Sequence, residues 1–95
     1  MIENLNKAFE NRIRLGLMSL LMVNDEMDFN SVKDLLQVTD GNLASHTNSL
    51  EKLEYITVIK EFVGKKPRTS YKATKAGKEA FTKHIDALEQ LLNNR

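Results

Sequence analysis

Apolar residues in the first quarter of the chain recur at three- and four-residue steps: Ile2, Leu5, Phe9, Ile13, Leu17 and Leu20. This spacing puts them on one face of an α-helix and predicts a helix over residues 2 to about 23, with Met18, Leu21 and Met22 widening the stripe near its end. Such a helix is long for a 95-residue chain, so its first ten residues are expected to project as an arm or pack on a partner. Polar and turn residues in VNDEMDFNS then break the pattern, leaving room for a brief extended segment at Met27 to Phe29. Asn30 or Ser31 is suited to cap a short helix in which Val32, Leu35 and Leu36 face inward and Val38 closes the element.

The next segment, TDG, reads as a turn in which Gly41 takes backbone angles that other residues resist, with Thr39 or Asp40 capping the helix beyond it. In that helix Leu43, Thr47, Leu50 and Leu53 form one stripe. Two short helices joined by a tight turn make a helix-turn-helix over about residues 31–53. The period then drops to two. In YITVIKEF, Tyr55, Thr57 and Ile59 fall on one side and Ile56, Val58 and Lys60 on the other. VGKKPRT reads as a hairpin tip and SYKAT as the returning strand, which gives a hairpin over about 55–74. Helical spacing resumes through Ala80, Phe81, Ile85, Leu88, Leu91 and Leu92, predicting a C-terminal helix over about 75–95. The pattern as a whole predicts one α+β, mainly helical domain spanning 1–95, a winged helix-turn-helix of order α-(β)-α-α-β-β-α.

Composition narrows what such a domain can do. A chain this short buries only a modest fraction of its surface, so pairing with a second copy is an economical source of stability. There is no cysteine, which excludes disulfides and thiolate metal sites, and His46 and His84 are too far apart in sequence to suggest a metal site. No signal-peptide pattern opens the chain, and the most apolar run, Leu15 to Val23, is far shorter than the roughly 20 residues a membrane helix needs. A cytoplasmic protein without a membrane partner is expected. Asp25, Glu26 and Asp28 form a cluster in a turn rather than a positioned acid–base pair, and no phosphate-cradling loop or activated nucleophile is present. Neither an enzyme nor a bound cofactor is expected.

Charge is more informative in its distribution than in its total of +1. Residues 60–79 hold seven basic residues against two acidic ones, a net of +5; the remaining seven basic and eleven acidic residues leave −4. A patch of this kind is either a solvated surface or a footprint for a polyanion.

Candidate contacts follow from the two elements of the motif. Asn42, Ser45, Asn48 and Ser49 are poor helix formers at positions where a structural surface would carry Lys and Glu. Their amides and hydroxyls can bond base edges or phosphate in a major groove. His46 lies at the margin of the apolar stripe and fits either a structural role or a phosphate contact. Lys65, Lys66 and Arg68 at the hairpin suit phosphates or a minor groove, arginine above all where the groove is narrow, against a bland role in solubility. Arg12 and Arg14 fit either pairing with acids or phosphate contact. Phe81, Ile85, Leu88, Leu91 and Leu92 fit a plain core, yet they exceed what so small a core needs. Pairing with Ile2, Leu5 and Phe9 of the same or another subunit would bury them, and these eight residues are the expected dimer interface between the N- and C-terminal helices.

The segments NRIRLGLMSLL, FNSVKDLLQVTDGNLASHTNSLEKLEYI and KPRTSYKATKAGKEAF resemble compact single-domain winged-helix transcriptional regulators of the MarR/ArsR-like type, over about residues 11 to 81. The most specific elements are TDGNL, Ser45–His46, and the Tyr-x-Ala-Thr-x-x-Gly pattern at 71–77. The resemblance implies sequence-specific binding of double-stranded DNA as a homodimer, through the second helix of the motif and the wing. The chain departs from the pattern at Thr47 and Ala73, where leucine is usual, and at Glu54, where glycine commonly ends the helix. The metal-sensing branch relies largely on cysteines that this chain lacks. Any small-molecule effector would have to bind at the dimer interface, because little chain lies outside the DNA-binding unit. The alternative expectation is a winged helix that docks a protein partner without specific DNA binding.

Overall fold

The computed structural model describes residues 2–93. Position 1, and positions 94 and 95 of the expected C-terminal helix, lie outside the described residues. Two short 3-10 turns, Ile2–Asn4 and Lys7–Phe9, precede helix α1 (Arg12–Val23). Strand β1 (Met27–Asp28), helices α2 (Phe29–Leu36) and α3 (Asp40–Lys52), strands β2 (Ile56–Val63) and β3 (Lys66–Ala73) and helix α4 (Lys75–Asn93) follow. The strands form one antiparallel sheet of order β1-β3-β2. This is the winged-helix order that the hydrophobic pattern predicts.

The long N-terminal helix is the main correction. Asn6 and Asn11 each have extended backbone angles, and their side chains accept the free amides of the turn that follows: Ala8 in one case, Ile13 and Arg14 in the other. A residue with this capping geometry restarts a helix rather than continuing one, so the three- to four-residue apolar spacing spans three separate elements. The segment does not project. Phe9 is buried in the chain's own core, edge-on to Phe81 at 5.1 Å between ring centroids and stacked on Tyr55 at 5.5 Å.

Smaller corrections have equally local causes. Asp28, not Asn30 or Ser31, caps α2: its carboxylate accepts the Ser31 amide at 3.3 Å and the Ser31 hydroxyl at 2.7 Å, which holds the Asp28 pKa below its ordinary value. Starting the helix at Phe29 turns Leu35 outward, to 61% exposure, while Val32 is fully buried. The turn between α2 and α3 is made by Gln37, at φ 56°, and Gly41 lies inside the first turn of α3 without a positive φ. Thr39 is the cap, accepting the Asn42 amide at 3.2 Å. The hairpin tip shrinks to Gly64 and Lys65, because Val63 and Lys66 are paired. Gly64 supplies the positive φ, 66°, that a two-residue connection of this kind requires.

The core joins Phe9, Leu17, Met18, Leu21, Val32, Leu43, Leu50, Ile56, Tyr71 and Phe81. Each large side chain so buried contributes roughly 1.5–3 kcal/mol. On α3 the inward stripe is Leu43, Thr47 and Leu50, and Leu53 emerges half exposed at the cap. Thr47 fits there because its hydroxyl donates to the Ala44 carbonyl at 3.1 Å and meets the Tyr71 phenol. Burial raises the pKa of that phenol, and its hydrogen bond with Thr47 partly offsets the rise.

The Tyr-x-Ala-Thr-x-x-Gly pattern acquires a physical reason at the α3–β2 junction. Thr74 starts α4 by accepting the Gly77 amide at 2.9 Å, and its hydroxyl donates to the Glu54 carbonyl at 2.7 Å. The Thr74 amide donates to the Tyr55 carbonyl at 3.0 Å. A Cβ at position 77 would lie 2.0 Å from that carbonyl oxygen, so only glycine allows the approach. Glu54 takes φ 62°, the left-handed angle usually left to glycine.

Two substitutions at this junction should therefore act in opposite directions in urea unfolding. Gly77→Ala should destabilise the fold by about 3 kcal/mol or more, because the obstacle is backbone. Glu54→Gly should stabilise it by roughly 0.5–1 kcal/mol, the relief of the left-handed angle exceeding the added freedom of the unfolded chain. A neutral Gly77→Ala would contradict the close packing described here.

Candidate nucleic-acid interface

Helix α3 sorts its polar residues onto two faces. Asn42, Ser45 and Asn48 lie exposed on an outward stripe together with Gly41 and Ala44. The side chains of Asn42, Ser45 and Asn48 make no hydrogen bond within the described residues. His46 and Ser49 turn away from this stripe. The Ser49 hydroxyl donates to the Ser45 carbonyl at 3.2 Å, and Ser49 borders a shallow depression shared with Asn6, Ala8 and Tyr55 of the N-terminal side.

His46 is held by Arg14. The guanidinium Nη1 lies 3.2 Å from His46 Nδ1, and the Nε donates to the Ala8 carbonyl at 2.7 Å. Burial and then the Arg14 charge lower the His46 pKa from its ordinary value of 6.5, so the ring is neutral here and its Nδ1 accepts. Arg12, by contrast, is exposed and lines a depression with Thr39 and Asn42 at the start of α3.

The hairpin forms the other wall of a groove beside α3. Ala44, Asn48 and Glu51 line it on the helix side, Lys60 and Thr69 on the strand side, with buried Thr47 and Tyr71 between them. Alternation places Lys60, Phe62, Pro67 and Thr69 on this groove face and Glu61, Val63, Lys66 and Arg68 on the opposite face. Lys65 occupies the turn itself. Arg68 sits away from the tip, its Nη1 3.3 Å from Glu61 and 3.5 Å from Glu26. It ties the wing to the loop before β1, and Lys65 and Lys66 remain the cations at the end of the hairpin.

The expected interface residues also divide. Phe9 and Phe81 are buried within the chain, and Ile85, Leu88, Leu91 and Leu5 are half-buried. Ile2 and Leu92 are 72% and 74% exposed. The N-terminal turn reaches α4 through the Asn6 amide, which donates to Nδ1 of the buried His84 at 2.9 Å and so places that ring's proton on Nε2. Among the described residues, no group of acidic and histidine side chains is arranged to hold a metal, and no helix is long and apolar enough to cross a membrane.

Exposure of Phe62, the groove-facing position of Lys60 and the separation of Arg12 from Arg14 were not legible in the sequence. Alternation alone does not say how far a hairpin extends beyond the helix it packs on. The poor helix propensity of the α3 polar residues did point to the outward stripe, but it did not separate Ser49 and His46 from it.

Residues 13–92 match the winged helix DNA-binding domain family. An uncharacterized protein of Methanocaldococcus jannaschii is 32% identical over 88 residues, covering 93% of this chain and 96% of that protein. The structure of a transcriptional regulator homologue from Pyrococcus horikoshii OT3 superposes with a TM-score of 0.84 at 28% identity, covering 90% of this chain and 85% of that one. The structure of NadR in complex with 4-hydroxyphenylacetate shares the fold, with a TM-score of 0.67 at 22% identity and coverage of 96% and 69%.

The state of His46 has a measurable consequence. Its folded pKa lies below the unfolded one, so the unfolded chain takes up the proton first, and stability is present at neutral pH and lost as pH falls below 6.5. The melting temperature should therefore drop between pH 7 and 5, and His46→Gln, which keeps an acceptor for Arg14 but does not titrate, should flatten that drop. Asp28 acts in a separate window, below about pH 4. An unchanged pH profile in His46→Gln would remove the imidazole from the account.

Proposed function

The chain belongs to the winged helix DNA-binding domain family, and on that premise we propose that it is a homodimeric transcriptional regulator of the MarR/ArsR-like type that recognises a specific duplex sequence. The outward stripe of α3 carries this reading: three hydrogen-bonding side chains, Asn42, Ser45 and Asn48, stand exposed and unengaged beside a cationic hairpin. In the major groove the amides bond adenine edges and the serine hydroxyl bonds base or phosphate. Lys65 and Lys66 meet phosphates of the flank, and Arg12 reaches phosphate near the start of α3. His46 and Ser49 set the seating of the helix, and Arg68 braces the wing.

Dimerisation rests on the exposed Ile2 and Leu92 together with the part of Leu5, Ile85, Leu88 and Leu91 that the chain's own core leaves uncovered. Pairing there would join the two copies through their terminal segments and leave both α3 stripes free. A regulator of this kind acts in the cytoplasm.

Selection from a random duplex pool tests the proposal. The recovered site should be symmetric, with half-sites roughly 34–36 Å apart or a multiple of that. Lys65→Ala or Lys66→Ala should weaken all sequences alike and reduce the slope of log affinity against log salt by about 1 each. Ser45→Ala or Asn48→Ala should instead shift base preference at one position of each half-site. A pool without enriched sequence would defeat the specific-binding reading.

A further inference from the structure

Phe62 is 75% exposed, near the end of a hairpin in which its cross-strand partner is Pro67. Nothing in the fold needs an aromatic ring there, and an exposed Phe on a β-strand invites aggregation. Its surroundings indicate what it meets. The ring stands on the groove face of the wing, in line with Lys60 and Thr69, which line the groove together with Asn48 and Glu51 of α3. Lys60 is the charged residue of the hairpin on this face, Lys65 follows in the turn, and the hairpin's carboxylate, Glu61, is on the opposite face beside Arg68. Pro67 stiffens the tip opposite the ring, and β1 pairs with Ser70 and Tyr71, so among the described residues no strand covers β3 at this level.

An apolar ring set among lysines fits a polyanion that also offers apolar edges, which is what the minor groove presents in its sugars and base steps. A second copy of the wing fits poorly, because a two-fold contact through this face would bring Lys60 and Lys65 against themselves. Resting on the DNA-binding reading above, we propose that Phe62 is a wedge that enters the minor groove flanking the α3 contact and partly unstacks one base step, with Pro67 holding the ring upright and Lys65 anchoring the adjacent phosphate. The wing then contributes to sequence choice through deformability, favouring pyrimidine–purine steps at a position that α3 never touches.

The test uses the full chain and the selected duplex, with 2-aminopurine placed at each flanking step in turn. Wild-type protein should raise the fluorescence at one step per half-site. Phe62→Ala, on an exposed position that leaves the core untouched, should abolish that rise and weaken binding about tenfold or more with an unchanged salt slope. Phe62→Leu should restore part of both. Lys65→Ala should lower the salt slope and keep a fluorescence rise at saturation. Wild-type affinity and fluorescence in Phe62→Ala would overturn the wedge while leaving the DNA-binding reading standing. A change in the mass of the free protein in Phe62→Ala, seen by light scattering, would reassign the ring to self-association and overturn it too. Failure of the wild type to bind any duplex would remove both readings together.

Discussion

The Tyr55 carbonyl is the point on which the rest of this molecule turns. It accepts the Thr74 amide, and it leaves no space for a side chain at position 77. One oxygen thereby fixes the start of β2, the end of β3 and the first turn of α4 relative to one another. The Thr74 hydroxyl adds the Glu54 carbonyl to the same junction. Because α3 enters this junction through Glu54 and the hairpin leaves it through Ile56, the angle between the two is set here.

A second constraint approaches from the N-terminal side. Asn6 is bonded by its amide to His84, by its side-chain nitrogen to the Tyr55 hydroxyl at 3.1 Å, and by its oxygen to the Ala8 amide. Ala8 in turn presents its carbonyl to Arg14, whose other end holds His46 on α3. The chain of polar contacts therefore runs from α4 through the N-terminal turn to the inner side of α3. Phe9 supplies the apolar half of the same docking, through Tyr55, Phe81 and the His84 ring at 5.5 Å. Phe9, counted among the expected interface residues, is committed in this way to the interior of its own chain.

Legibility of the fold tracked how local the deciding physics was. Stripes at three- and four-residue spacing marked α1, α3 and α4, and alternation marked the hairpin, because both depend on which neighbours share a face. Element edges were less legible. Asn6 and Asn11 could equally have been polar residues on one long helix, and only their capping bonds distinguish the cases. Gly41 beside Thr39 and Asp40 imitates a turn, while the left-handed angles fell to Gln37 and Glu54, residues that rarely adopt them. The polar stripe of α3 was visible as a propensity anomaly. Its division into a free outer set and a tied inner set required Arg14, thirty-two residues from His46, to be placed.

The wing shows why charge alone misleads about role. Arg68 is the strongest phosphate donor by chemistry, yet two carboxylates reach the same nitrogen, and removing it from both would forfeit whatever they contribute. Exposed pairs of this kind are worth little each, about 0–1 kcal/mol, so their effect is on orientation more than stability. The lysines near the tip have no such partner among the described residues. A brace that is already neutralised and a tip that is not is an efficient division of a short hairpin. Neutralising Arg68 within the wing also leaves the net positive field concentrated where β2 and β3 end, beside the one aromatic ring that the core never claimed.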